Sequence, residues 1–192
     1  MKHVMIDLET LGSDTSNAPV ISIAAVRFEI RGDIDVENYF YRNIKLDDSL
    51  RYGNVEAGTL KWWLTGDKRE VFREIIFDKK AVNLKTALDQ FADWVTQSKG
   101  VTPWSKGIDF DFGILERLFR ETGVKSPFQQ FWKKRDVRTL IDLCKHAGVP
   151  ELDIGREMGE AHNALSDVIH QAQEVIEYTR ALRELTGVDS PE

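Results

Sequence analysis

Three places in the sequence put carboxylates where they could hold metal ions. The first is the pair Asp7 and Glu9, at the C-terminal end of an apolar run that begins at His3. Alternate residues of a strand point to the same face, so these two carboxylates could share one ion. An exposed strand end or a helix-capping role is the other interpretation, and the pair alone does not decide between them.

The second place is a glycine-led segment, residues 107–115, that reads as a loop entering a helix. Asp111 suits the N-terminal part of a helix, where the helix dipole favours a negative charge, while Phe112 and Leu115 would pack inward. A helix cap is therefore an alternative to a functional acid. Residue chemistry does not separate Asp109 from Asp111 as the acid that matters.

The third place is the segment 160–167, which precedes and opens the last predicted helix. His162 and Asp167 are five residues apart, about 140° off a common face of an ideal helix. They converge on one site only if His162 lies before the regular helix, and Gly155 and Gly159 favour a loop there. The remaining histidines are expected to be structural or solvated: His3, His146 and His170.

Hydrophobic periodicity predicts the elements that position these acids. Strands are expected at residues 3–9, 20–30, 36–41 and 100–104, and helices at 59–64, 67–76, 84–95, 111–122, around 140–143, and 164–185. The turn signal at residues 31–33 predicts that the first three strands form an antiparallel meander. Strands grouped first, with helices alternating later, predict an α/β layered domain with a mixed sheet. At 192 residues and 42% hydrophobic, we expect one domain spanning 1–192.

Charge and cysteine content limit the classes of function. The net charge of −6 argues against broad electrostatic coating of nucleic acid, although residues 103–145 carry nine Lys plus Arg against six Asp plus Glu. Carboxylates that gather metal ions become locally cationic once the ions bind, so a nuclease is not excluded. The single cysteine, Cys144, is expected in the core. No apolar run reaches membrane-spanning length and no signal-peptide pattern is present, so we expect a cytoplasmic protein.

The three acidic motifs together resemble those of the DEDDh, or DnaQ-like, 3′→5′ exonucleases over nearly the whole chain. More closely, the chain is similar to the branch of phage exodeoxyribonuclease A, exonuclease VIII and the small actinobacterial 3′→5′ exoribonucleases. Four stretches carry that similarity: residues 5–12 (MIDLETLG), 59–64 (TLKWWL), 110–115 (FDFGIL) and 131–140 (FWKKRDVRTL). In that branch the second-motif aspartate follows Phe and precedes Ile-Leu by two residues, which selects Asp111.

The resemblance implies a ribonuclease H-like fold, with a five-stranded mixed sheet flanked by helices. It also implies hydrolysis with two Mg²⁺ or Mn²⁺ ions, which prefer oxygen ligands. Asp7 would bridge both ions, Glu9 and Asp167 would hold the ion that carries the water, and Asp111 would reach the second ion through waters. His162 would be the general base, because imidazole exchanges protons near neutral pH.

An exonuclease must also grip the 3′-terminal nucleotide. We expect the backbone of Thr10 and Leu11 beside the ions, with Leu11 as a wedge and with Trp104 and Phe110 stacking the base. The adjacent Trp62 and Trp63 point about 100° apart on a helix. Both in the core is the favoured interpretation, and one lining the substrate cleft is the alternative.

The expected partner is a single-stranded nucleic acid with a free 3′ end, with DNA slightly favoured and RNA as the alternative. A second copy of the chain is the other partner considered, and no membrane is expected. Arg135 and Arg138, with Lys133 and Lys134, are the expected phosphate contacts, unless the arginines form salt bridges with neighbours such as Asp136.

Three other functions compete with an exonuclease. An RNase H-type endonuclease would cut a circular single strand, which an exonuclease cannot enter. A catalytically idle nucleic-acid-binding module would show no metal-dependent turnover. A structural metal domain would crowd carboxylates that repel one another without an ion.

Overall fold

A computed structural model describes residues 1–155 and 162–188. The strands are β1 (His3–Thr10), β2 (Val20–Phe28), β3 (Phe40–Asn43), β4 (Thr102–Ser105) and β5 (Arg135–Asp136). They form one five-stranded sheet in the order β3-β2-β1-β4-β5. The β1–β2 and β2–β3 pairs are antiparallel, and the β1–β4 and β4–β5 pairs are parallel. The expected mixed sheet and its initial meander are therefore confirmed.

Seven α-helices lie in the described ranges. They are α1 (Leu46–Ser49), α2 (Ala57–Trp63), α3 (Lys68–Ile76), α4 (Leu84–Thr96), α5 (Ile108–Thr122), α6 (Val137–His146) and α7 (Ala164–Thr186), and a 3₁₀ turn covers Phe131–Lys133. Helix α7 is the longest of these at 23 residues. None of the helices described combines the length and apolarity that crossing a membrane requires.

Strand β1 lies in the middle of the sheet and separates two cores. Its residues Val4, Ile6 and Leu8 point to one face, where they pack with buried side chains of α4 and α5. Met5 points to the opposite face, which α7 covers with Val168, Ala172 and Val175. Because strand side chains alternate between faces, Asp7 and Glu9 also point to the α7 face.

A third apolar cluster joins α2 and α3 to the end of β1. It contains Leu11, Ile21 and Trp63, closed over by Phe72 and Ile75 of α3. This cluster holds the two helices beside the C-terminal end of β1, which is where the acidic pair lies.

Several boundaries differ from the sequence-based expectation, among them those of the third strand and of α5. The third strand was expected at 36–41, but β3 covers Phe40–Asn43. The residues before it form a turn, in which Asp35 accepts a hydrogen bond from the Asn38 amide and only Ile34 bridges to Phe28. Helix α5 begins three residues before the expected start at 111. Cys144 is fully buried, which confirms the expected core thiol.

Candidate active site

Three of the predicted acids meet at one place. Carboxylate oxygens of Asp7, Glu9 and Asp167 all lie within 4.8 Å of one another. Asp7 and Glu9 alternate along β1, and Asp167 is in the first turn of α7. A shift in the β1–β2 register between Glu9 and Thr10 ends the regular strand there, as bulges beside functional sites commonly do. We call Asp7, Glu9 and Asp167 the carboxylate cluster.

The electrostatics of the carboxylate cluster favour a cation. Glu9 is only 8% exposed, and its pKa is raised well above its usual value, first by burial and then by the charges of Asp7, Asp167 and Asp111. Buried like charges of this kind are costly unless they are protonated or neutralised by a positive ion. The oxygen-only donor set fits Mg²⁺ or Mn²⁺ in chemistry.

Asp111 lies beside the carboxylate cluster and not within it. It is 4% exposed in α5, and burial raises its pKa to about 7. The Ser105 hydroxyl, the Leu8 amide and the Arg138 guanidinium act in the opposite direction. Asp109 is exposed to solvent, so Asp111 is the acid of this pair that shares the buried site.

The connection between β4 and α5 places Asp111. Gly107 has a φ of +129°, a conformation that residues with a Cβ rarely adopt. Asp136 accepts hydrogen bonds from the amides of Gly107 (2.9 Å) and Ile108 (3.2 Å), and it also caps α6 through Thr139. Although partial burial alone would raise it, these hydrogen bonds hold the pKa of Asp136 below its usual value. Sequence analysis missed this double cap.

His162 lies just before α7, as convergence with Asp167 requires. Its φ is +67°, in the left-handed region that non-glycine residues seldom occupy. Its backbone amide donates to Asp167 Oδ2 at 3.1 Å. The rest of the third motif before His162, including Gly159, lies outside the described residues.

The two adjacent tryptophans have different environments. Trp63 is buried, and its indole Nε1 donates to the Thr10 carbonyl at 2.9 Å. Trp62 is 41% exposed, and its ring centroid lies 4.7 Å from that of His162. Lys68 Nζ lies 5.0 Å from the Trp62 ring. The favoured expectation, both in the core, was wrong, because the Trp63 hydrogen bond fixes the helix so that Trp62 points to the site.

A second contact fixes α2 to the loop that follows β1. The Glu56 carboxylate accepts hydrogen bonds from the Ser13 amide, the Ser13 hydroxyl and the Asp14 amide, all at 2.8–2.9 Å. These bonds lower the pKa of Glu56. A Cβ at Gly12 would lie 3.0 Å from Glu56 Oε1, so the close approach favours glycine there.

Two of the expected substrate contacts are corrected by burial. Leu11 is buried in the cluster with Ile21 and Trp63, so its side chain cannot serve as a wedge. Trp104 is buried too, and its Nε1 donates to His3 Nδ1 at 3.0 Å on the α7 side of the sheet. Packing of α2, α3 and α7 covers these side chains, which strand position alone did not reveal.

The other expected contacts have mixed surroundings. Thr10 is buried and its hydroxyl donates to the Gly12 carbonyl, whereas Phe110 is half-buried against the core. Arg138 is exposed, and its guanidinium lies over Gly107, close enough to lower the pKa of Asp111. Arg135 is exposed and donates to backbone carbonyls of its own segment.

Sequence analysis also missed a glutamine at the site. Gln171 is 7% exposed, and its Nε2 donates to Asp7 Oδ1 at 2.9 Å. It lies four residues after Asp167 on α7, a spacing that puts both on one helix face. That spacing was the available signal.

Comparisons with known proteins agree with this geometry. The Rv2179c-like 3′–5′ exoribonuclease domain matches residues 2–179. The exodeoxyribonuclease of Enterobacteria phage T4 is 27% identical in an alignment 217 residues long with its gaps. The alignment covers 98% of this chain and 92% of the phage protein.

Solved structures share the ribonuclease H-like fold. Exonuclease I from Methylocaldum szegediense superposes with a TM-score of 0.64 at 13% identity, covering 94% of this chain and 40% of that one. E. coli exonuclease I in complex with a 5cy-dA13 oligonucleotide has a TM-score of 0.64 at 14% identity, covering 96% and 42%. This chain thus spans about two fifths of those proteins. The nuclease domain of 3′hExo, a DEDDh family member bound to rAMP, has a TM-score of 0.57 at 16% identity, covering 92% and 90%.

The family match covers the carboxylate cluster, Asp111 and His162 within one continuous range of residues. The chain therefore belongs to the Rv2179c-like 3′–5′ exoribonuclease domain family and is a 3′–5′ exonuclease.

Proposed function

We propose that the chain removes nucleotides from the 3′ ends of single-stranded nucleic acid in a reaction that depends on two divalent ions. The observation that carries the proposal is the convergence of Asp7, Glu9 and Asp167 within 4.8 Å, on the face of the sheet that α7 covers. Each turnover adds water to the terminal phosphorus and breaks its bond to the 3′ oxygen of the preceding nucleotide. The products are a nucleoside 5′-monophosphate and a shortened strand with a new 3′ hydroxyl.

The four carboxylates have different proposed roles in holding the ions. Asp7, Glu9 and Asp167 would hold the ions, with Asp7 shared between them, and Asp111 would assist from its buried position beside the cluster. When bound, Mg²⁺ or Mn²⁺ ions supply charge that orients the phosphate, activates water and stabilises the leaving oxygen.

His162 accepts the proton of the attacking water. Two contacts support this role: the amide hydrogen bond to Asp167 and the edge-on Trp62 ring restrict where the imidazole can lie. A positioned general base of this kind must be near the reacting water, and Asp167 ties His162 to the carboxylate cluster.

Trp62 is the candidate platform for the terminal base. Trp62 is exposed, whereas Trp63 is buried, and the Trp62 ring packs against that of His162. Lys68 adds a positive charge beside the ring. Nucleobases stack on exposed aromatic rings irrespective of sequence, so such a platform grips any 3′ terminus. Arg138 is exposed beside Gly107 and close enough to Asp111 to affect its pKa, so it is the candidate phosphate contact. Arg135, exposed on β5, is a second candidate.

Single strands are the proposed substrate because the chain has little positive charge with which to open a duplex. Its net charge is −6, and unpairing a base at a blunt end costs a few kcal/mol. The T4 relative is named an exodeoxyribonuclease, and E. coli exonuclease I binds DNA oligonucleotides, so we propose DNA as the first substrate. RNA is the second candidate, because the matching family is described as exoribonucleases.

End-labelled substrates test the proposal. Linear single-stranded DNA and RNA, labelled at the 3′ or the 5′ end, are incubated with Mg²⁺, Mn²⁺ or EDTA. We expect immediate release of labelled mononucleotide from the 3′ label, a ladder of shortened strands from the 5′ label, and no cleavage in EDTA. Cleavage of a circular single strand would instead indicate an endonuclease, and equal rates on blunt duplex would contradict the single-strand preference.

Trp62→Ala tests the platform. Loss of one stacked base costs about 1–3 kcal/mol, so we expect KM to rise roughly 5- to 150-fold with a smaller change in kcat. Phe77→Ala is the matched control, because Phe77 is an exposed aromatic side chain at the end of α3. An unchanged KM for Trp62→Ala would remove Trp62 from the substrate site.

A further inference from the structure

We propose that Gln171 is a positioning residue that orients the Asp7 carboxylate for divalent-ion binding. The inference rests on the proposed metal site and adds to it a residue outside the DEDDh acids and histidine. Its basis is the hydrogen bond from Gln171 Nε2 to Asp7 Oδ1, 2.9 Å long and removed from solvent.

The hydrogen bond links two elements that carry cluster residues. Asp7 is on β1, whereas Gln171 and Asp167 are one turn apart on α7. A rigid helix therefore sets where Asp167 lies relative to the group that fixes Asp7. Mutation of a group that hydrogen-bonds to a metal ligand and orients it typically lowers metal affinity about 10- to 100-fold.

The neutral charge of Gln171 matters as much as its hydrogen bond. An amide donor fixes one oxygen of Asp7 without cancelling its negative charge, so the attraction for a cation is kept. Lys106, a cation that also contacts α7, is instead bound by both oxygens of Glu174, at 2.6 and 2.7 Å. Glu174 thus neutralises the charge of Lys106, whereas Asp7 keeps its own.

The surroundings of Gln171 argue against a purely structural role. Its Oε1 atom is buried and has no hydrogen-bond partner among the described residues. A buried unpaired carbonyl destabilises a fold, so an apolar side chain would pack at this position with less cost. The hydrogen bond from Gln171 to Asp7 compensates for the cost of burying this unpaired carbonyl.

The experiment is a calorimetric titration of Mn²⁺ into wild type and Gln171→Met, which preserves side-chain length and removes the donor. Gln173→Met is the matched control, because Gln173 is on the same helix about 200° away and its Oε1 is likewise buried without a partner in the described chain. Thermal melting in EDTA monitors folding. Gln171→Asn, which keeps an amide but shortens it beyond reach of Asp7, is the second variant if Gln171→Met does not fold.

We expect Gln171→Met to weaken Mn²⁺ binding about 10- to 100-fold. The Mn²⁺ affinity of Gln173→Met should be unchanged, and the melting temperature of each variant in EDTA should be equal to or above that of wild type. Saturating Mn²⁺ should then restore most of kcat, which a distorted fold would not allow. Wild-type affinity in Gln171→Met, or equal losses in both variants, would overturn the inference alone. No Mn²⁺ binding by the wild type would overturn the proposed metal site and the inference with it.

Discussion

The two faces of β1 are built from adjacent residues and do different work. Val4, Ile6 and Leu8 enter a core built mainly of apolar side chains from α4 and α5. On the other face, Met5 is followed by Asp7 and Glu9, where α7 offers polar groups in place of apolar ones. One strand thus supplies packing on its α4–α5 face and charge on its α7 face.

The difference shows how a rigid site tolerates crowded charge. The apolar face provides the free energy of burial, about 25 cal/mol for each Å² of apolar surface removed from water. The α7 face gives up part of that gain to hold carboxylates, and burial followed by their mutual repulsion raises the pKa of Glu9. Mutations on the apolar face should therefore reduce stability, and mutations on the α7 face should reduce activity.

The largest effect is expected on the α7 face. Asp7→Asn or Asp167→Asn should reduce turnover in Mg²⁺ to background, because each removes a metal-binding charge while preserving size. In EDTA the melting temperature of Asp7→Asn should be equal to or above that of wild type, since a repulsive charge is lost. Steady-state kinetics and thermal melting measure the two effects.

Asp109→Asn is the matched control for the acids, because Asp109 is exposed and two residues from Asp111. It should retain most activity. If Asp7→Asn kept its rate within tenfold of wild type, the α7 face would not be the catalytic one.

His162→Ala should lower kcat by about 10²–10⁴-fold. Metal affinity should be largely kept, because the proposed ligands are the carboxylates. His146, exposed at the end of α6, provides the control, and His146→Ala should leave the rate nearly unchanged. A full kcat in His162→Ala would assign the proton transfer to another group.

Leu88→Ala breaks the apolar face from α4. Leu88 is fully buried, and its truncation should lower the free energy of unfolding by about 2–5 kcal/mol. At temperatures well below the melting point, kcat of the folded fraction should match wild type. Urea unfolding gives the stability, and a selective loss of kcat without loss of stability would contradict the division between faces.

The smallest effect is a pH dependence of metal-free stability. Glu9 and Asp111 have raised pKa values in the folded state, about 7 for Asp111, so the stability they contribute is full below their unfolded pKa values near 4. It is lost as pH rises through the folded values. In EDTA the melting temperature should therefore fall between about pH 5 and pH 8.

Asp111→Asn should flatten this fall, and a saturating divalent ion should oppose it by binding the ionised carboxylates. Glu56 has a lowered pKa, so its effect on stability falls in the acidic range below this window. Differential scanning calorimetry across the pH series measures the effect. A melting temperature that rises steadily from pH 5 to 8 in EDTA would mean that these two acids do not dominate.

Much of this arrangement could be predicted from periodicity and spacing. The alternation of Asp7 and Glu9 on a strand, and the need for His162 to precede a helix, follow from backbone geometry alone. The burial of Leu11, Trp62 and Trp63 could not be predicted in this way, because it depends on which neighbouring helix covers each side chain.

Contacts between distant segments were the hardest to foresee. Gln171 reaches Asp7 across 164 positions of sequence, and Asp136 caps a helix that begins 28 residues earlier. Such pairs produce no local pattern in the sequence, because their proximity depends on how α7 packs on the sheet and how β5 pairs within it. Only the i, i+4 spacing of Asp167 and Gln171 was visible beforehand.

We expect the α7 face of β1 to bind two divalent ions, and anomalous diffraction from crystals soaked in Mn²⁺ tests this expectation most directly. Two peaks about 3.5–4 Å apart are expected, both bordering Asp7, with Glu9 and Asp167 on one of them, and neither peak should be present in Asp7→Asn crystals. Catalytically active crystals with no Mn²⁺ peak at Asp7, or with the peaks on another surface, would contradict it.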